Sequence, residues 1–281
     1  MKTAALVLLL LPLLLPCVTG CNHASKDPRA AADDTRELAP PPRPYLLHLP
    51  GIGGHRSIDD MLTQGLVQGG MDADVEIYDW TDTGPGLSAL YSRPRHHQEA
   101  GIVARKITDR FRADPRTRIY LSGHSGGTGI ALWALERLPP DVKIESLLML
   151  ASAMSPTYDL SPALRHVRAK AYALHSPHDP VLGIGTRMFR TIDGIKSDAA
   201  GRVGFAMPPG ADPKQYEKLV QISYDPAWIP LSHIGDHVGP MMRPFAREIL
   251  SPLLRTGVLR QLARTVRRPA PAATTTATVP E

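Results

Sequence analysis

The stretch 119–129, IYLSGHSGGTG, constrains this chain more than any other. Ile119, Tyr120 and Leu121 open an apolar run that predicts a buried strand, and residues 130–137, IALWALER, predict a helix. Between them stand Gly123, His124, Ser125, Gly126 and Gly127, a G-x-S-x-G with almost no loop around it. A strand that turns so abruptly into a helix holds its turn residue in strained backbone, and the flanking positions then have to lack a bulky Cβ. Such a turn lifts the Ser125 hydroxyl clear of the sheet and sets the first amides of the helix beside it. Those amides and the helix dipole favour negative charge, as on the oxyanion that forms when a hydroxyl attacks a carbonyl. The plain alternative is a Gly-rich turn that joins a strand to a helix and does nothing else.

In this strand-turn-helix setting the motif resembles the nucleophile elbow of the α/β-hydrolase superfamily. Strand and helix signals alternate through the rest of the chain. Residues 45–49, 75–80, 119–121, 146–151, 170–175 and 219–224 read as strands, and 57–67, 98–112, 130–137 and 240–254 as helices. That alternation predicts an α/β fold with a mostly parallel, doubly wound sheet of about six strands. The superfamily commonly has two further strands at the start, and no large lid is indicated. Residues 81–87 read as a loop. Residues 182–218 form a Gly- and Pro-punctuated excursion in which Met188, Phe189, Ile192, Phe205 and Met207 are candidates for an acyl pocket, or simply pack the excursion onto the sheet.

The resemblance implies further roles. The superfamily draws its oxyanion hole from the residue after the nucleophile and from the loop after an early strand. Here those positions are Gly126 and, in the loop Pro50-Gly51-Ile52-Gly53-Gly54, Ile52, with Gly53 as the alternative. This loop has the look of a phosphate-binding turn, but Arg56 replaces the third glycine of G-x-G-x-x-G. The triad follows in the order serine, acid, histidine. Asp179, after the strand 170–175, matches the acid, although Pro180, Val181 and Leu182 after it fit the family pattern imperfectly; Asp159 is the alternative. Two histidines compete for the base in Ser232-His233-Ile234-Gly235-Asp236-His237. His237 is preferred because it stands directly before the last helix, with His233 as a second contributor or a surface residue. His124 is a spacer inside the turn. A zinc site is not expected, because no cysteine accompanies these histidines.

The ends of the chain read differently. Lys2 precedes a Leu-rich run at 4–16 that is short for a membrane span, and Val18-Thr19-Gly20-Cys21 resembles the lipobox of bacterial lipoproteins. The alternative is an ordinary secretory signal. Cleavage before Cys21 would remove Cys17 and Lys2, taking the net charge from +5 to +4 and leaving no thiol in the catalytic region. The expected organisation is a signal peptide at 1–20, a lipidated Cys21 with a Pro-rich tether at 21–44, a hydrolase-like domain at 45–255, and a basic then low-complexity tail at 256–281. Arg255, Arg260, Arg264, Arg267 and Arg268 form either a basic amphipathic face for anionic lipid or an ordinary solvated helix face. Export and attachment to the cell envelope follow, with an outer membrane preferred because Asn22 follows the cysteine.

Composition narrows the function classes. At 281 residues, 43% apolar and 21% charged, the chain has room for one large core. It shows neither a distributed basic face nor a stacking surface of aromatics, which argues against nucleic acid as a partner. The leading expectation is a serine hydrolase acting on a small-molecule or lipid-like carboxylic ester, with a thioester or amide as variants, and needing no metal or organic cofactor. The competing expectation is a non-catalytic surface lipoprotein that keeps the fold for binding or structural work.

Overall fold

In the computed structural model, which describes residues 40–81 and 84–260, six strands form one sheet. They are β1 (Tyr45–Leu49), β2 (Asp74–Ile77), β3 (Ile119–His124), β4 (Ser146–Leu150), β5 (Ala171–His175) and β6 (Leu219–Ser223), in the order β2-β1-β3-β4-β5-β6. Every neighbouring pair is parallel. Both faces of the inner strands are covered, which explains why β1 and β4 are buried along their whole length and largely apolar. Leu47, Leu49, Leu121 and Met149 face a core with α3 (Arg93–Ala113) and α4 (Gly127–Leu135). Leu46, Tyr120, Leu148 and Leu174 face a second core with α1 (Ser57–Gln68) and the helical run 243–256. The signal segment, Cys21 and most of the tether lie outside the described residues, as do 261–281 with Arg264, Arg267 and Arg268. Of the remaining tail arginines, Arg255 donates to the Gly69 carbonyl at 3.1 Å and Arg260 to Glu248 at 3.0 Å.

The strand order places the site. The chain steps from β1 outward to β2, then back across β1 to β3, so the loops after β1 and β3 leave in opposite directions. In open parallel sheets the crevice at such a reversal is where ligands bind. The loop after β1 and the turn after β3 both open into it.

Several elements differ from the sequence expectation. The strand expected at 75–80 ends at Ile77, because Asp79 turns back to accept from the His55 and Thr81 amides and Trp80 donates its indole N–H to the Pro50 carbonyl at 2.7 Å. A short α2 (Leu87–Tyr91) follows the loop expected at 81–87. α3 begins at Arg93 rather than 98, with Pro94 in its first turn where no amide hydrogen is needed. The helix expected at 240–254 is broken. It runs as a 3₁₀ turn (Gly239–Met241), a helical turn (Arg243–Phe245), a π turn (Ala246–Leu250) and a last helix (Ser251–Thr256). This run lies against Gly65 of α1 and Gly69 just after it, where an added Cβ would stand 2.6 Å from the Arg243 carbonyl oxygen and 2.5 Å from that of Arg247 respectively. Only glycine lets two backbones meet so closely.

A buried polar chain crosses the α1 side of the sheet. His48 on β1 has Nε2 2.9 Å from Asp59 Oδ1 and Nδ1 3.2 Å from Ser122 Oγ. The second Asp59 oxygen accepts the Arg56 amide at 2.8 Å, so one carboxylate ties α1 to β1 and closes the loop between them. All three side chains are fully enclosed. This serine, histidine and aspartate meet no solvent and therefore no substrate.

Candidate active site

Ser125 has φ 51°, a left-handed conformation rare outside glycine. Strain of that kind costs about 1–3 kcal/mol and persists only where the surroundings enforce it. Here they do. The Ser125 amide donates to the Leu150 carbonyl at 2.9 Å, and its own carbonyl accepts from the amides of Thr128 and Ala153 and from the Thr128 hydroxyl. The outer glycines of the motif are dictated by contact: a Cβ on Gly123 would stand 2.8 Å from Thr128 Cα, and one on Gly127 would overlap the Leu49 and Pro50 carbonyl oxygens.

The loop after β1 presses against this turn. A Cβ on Gly51 would lie 3.3 Å from Ser125 Cβ, and one on Gly126 would lie 2.7 Å from Ile52 Cγ2. Ile52 and Gly126 are thus brought together beside the serine. Neither amide has a hydrogen-bond partner among the described residues. Both amides are therefore available as donors beside the turn.

Asp179 and His237 meet on the other side. Asp179 follows β5, is 2% exposed, and accepts the His237 Nδ1–H at 2.7 Å through Oδ2 and the Leu182 amide at 2.9 Å through Oδ1. The bond from Nδ1 leaves Nε2 as the lone-pair nitrogen of the neutral ring. The histidine's loop is tied down: the Ser176 hydroxyl donates to the Gly235 carbonyl at 2.5 Å, and Asp236 accepts the Gly239 amide at 2.9 Å. The His237 ring packs 4.8 Å from that of His124, the residue before Ser125. No hydrogen bond joins His237 to Ser125 in the described structure, and catalytic hydrogen bonds of this kind often tighten only when substrate is bound.

The alternatives lie elsewhere. His233 is not a surface residue: it stacks on Trp228 at 5.5 Å and meets the Phe245 ring edge-on at 4.6 Å, and burial pushes its pKa down to about 4. Asp159 accepts the Ser161 amide at 2.9 Å, at the start of the helix Ser161–Leu164. Among the described residues no three His, Cys, Asp or Glu side chains converge as metal ligands would.

The excursion after Asp179 opens with α6 (Pro180–Phe189), a helix that Gly183 and Gly185 concealed in the sequence. Leu182 turns inward with Ala151, Ala153 and Ala199, while Val181, Ile184 and Met188 form an exposed apolar stripe. The five acyl-pocket candidates divide. Ile192 and Phe205 belong to the core, whereas Met188, Phe189 and Met207 are exposed.

No family model matches the chain, and no match was found among curated proteins. Among solved structures it is similar to the esterase domain of a Rhodothermus marinus protein, at 15% identity over 78% of this chain and 89% of that one, with a TM-score of 0.42. It is similar also to the Bacillus licheniformis lipase BlEst2 in mature form, at 14% identity over 79% and 96%, with a TM-score of 0.45. A third is YbtT, a type II thioesterase of the yersiniabactin pathway, at 17% identity over 76% and 92%, with a TM-score of 0.40. Likenesses this distant assign neither a family nor a substrate.

Proposed function

We propose that the protein is an α/β-hydrolase-like serine hydrolase that cleaves a carboxylic ester, or a thioester or amide, through an acyl-enzyme. The observation that carries this reading is a serine held at positive φ on the same edge of the sheet as a buried aspartate–histidine pair 2.7 Å apart. Ser125 attacks the carbonyl carbon while His237 Nε2 takes its proton, and Asp179 steadies the imidazolium that results. The amides of Ile52 and Gly126 hold the oxyanion. Collapse of the tetrahedral intermediate expels the alcohol, which receives its proton from His237, and water then repeats the sequence in reverse to free the acid.

A fluorophosphonate probe tests the central step, since it phosphonylates only an activated serine. The purified protein is expected to take up one probe per chain at Ser125, located by peptide mass spectrometry, and Ser125→Ala to take up none. Labelling elsewhere, or no labelling of the folded wild type, sinks the reading in favour of a non-catalytic surface protein.

The same proposal puts the enzyme outside the cytoplasm, anchored through acyl chains on Cys21. Cys21→Ala is expected to abolish incorporation of labelled fatty acid in cells and to leave either uncut precursor or soluble protein. A mature wild-type chain that begins elsewhere and carries no lipid contradicts it.

A further inference from the structure

Resting on the serine-hydrolase reading, we propose that His124 is a positioning residue for the base: it fixes the His237 backbone and ring, and so the direction from which that imidazole reaches Ser125. Its Nε2 lies 3.1 Å from the His237 carbonyl oxygen, and because a carbonyl only accepts, the ring must donate N–H there. Its face meets the His237 ring at 4.8 Å with the planes tilted by 48°. Its opposite edge abuts the loop after β1, where a Cβ on Gly51 would stand 3.4 Å from Nδ1. One side chain inside the turn thus lies against both the loop bearing the base and the loop bearing Ile52. His237 has no other side-chain contact of this kind on the serine side among the described residues.

The protonation state suits the role. Burial first, and the neighbouring His237 second, hold the His124 pKa well below the ordinary histidine range, with Asp59 and His48 the other titratable groups that act on it. The ring remains a neutral donor while His237 gains and loses its proton, and no second imidazolium opposes the one that forms in turnover. A spacer that only filled volume would not need the donor.

Three replacements separate reach from bulk. Gln at 124 carries an N–H to the same depth as Nε2, Asn carries one that stops short, and Phe keeps the ring and removes the donor. We measure kcat and KM for p-nitrophenyl acetate and the rate of fluorophosphonate labelling at Ser125, well below each variant's thermal midpoint. His124→Asn and His124→Phe are expected to lose about 10–100-fold in kcat and in labelling rate with KM changed less than about threefold, the scale expected for misplacing a reacting group by roughly an ångström. His124→Gln is expected to return within about threefold of wild type. Asn and Phe variants within twofold of wild type overturn the inference, and so does a folded Gln variant as slow as the Asn one. If the Phe ring prevents folding, the Asn and Gln pair carries the comparison. A wild-type protein that the probe leaves unlabelled overturns the hydrolase reading itself, whereas a labelled wild type with unaffected His124→Asn overturns only this inference.

Discussion

His237→Ala is expected to lower turnover of a p-nitrophenyl ester by about 10⁴–10⁶-fold, to the level of Ser125→Ala, and combining the two is expected to add almost nothing. Residues that act as one unit fail as one unit. Without an acceptor for its proton the Ser125 hydroxyl stays a poor nucleophile, whatever the oxyanion donors contribute. His233 supplies the control. It is enclosed by Trp228, Tyr224 and Phe245, so His233→Phe keeps an aromatic ring there and is expected to stay within about tenfold of wild type, the lower end of losses seen for supporting residues. The acidic limb of the rate profile should survive in His233→Phe. A buried histidine with its pKa pushed down to about 4 stabilises the fold fully only above its unfolded value of about 6.5, and that contribution falls away as pH drops towards 4. His233→Phe is therefore expected to resist unfolding at pH 5 better, relative to pH 7.5, than wild type does. A dead His233→Phe beside a merely slowed His237→Ala would reverse the assignment of the base while leaving Ser125 its role.

Asp59→Ala is expected to give a large loss of stability without touching the reacting groups, about 3–5 kcal/mol by urea unfolding at pH 7, the scale for removing one partner of a buried pair. The variant strands the His48 ring in a site closed to bulk solvent and frees the Arg56 amide that Asp59 accepts. Burial pushes the Asp59 carboxyl up, but the His48 hydrogen bond, its charge and the Arg56 amide outweigh burial and hold it below the usual carboxylate value. The sign follows from that direction. The carboxylate's contribution is complete above its unfolded pKa of about 3.9 and disappears as pH falls through the lower folded value. The gap between wild type and Asp59→Ala should therefore narrow below about pH 4. A loss under about 1 kcal/mol at pH 7 would mean that the loop after β1 is held by other contacts.

What the sequence made legible was set by backbone sterics. The stretch 119–129 could be read because its two outer glycines answer to contacts within a few residues and to the loop after β1. Asp179 and His237 were chosen from their places after β5 and β6, and they stand 2.7 Å apart. Contacts between distant polar residues left no such trace. His48, Asp59 and Ser122 make another serine, histidine and aspartate cluster, fully enclosed, which no motif in the sequence announces. His124 read as a spacer because its partner is a main-chain carbonyl, which no side-chain pattern announces. α6 was missed for another reason. Gly183 and Gly185 lower helix propensity, and the packing of Leu182 beneath the helix overrides them.

The meeting of Gly65 and Gly69 with the run 243–256 has a consequence for how the chain is made. α1 leaves the ribosome well before the segment that covers it and well before the loop carrying His237. Until then the face of α1 that ends against Arg243 and Arg247 has nothing to rest on, and the second core lacks Phe245, Ile249 and Leu253. Contacts so far apart in sequence form late and slowly. A nascent chain therefore carries Ser125 well before the Asp179–His237 pair can form.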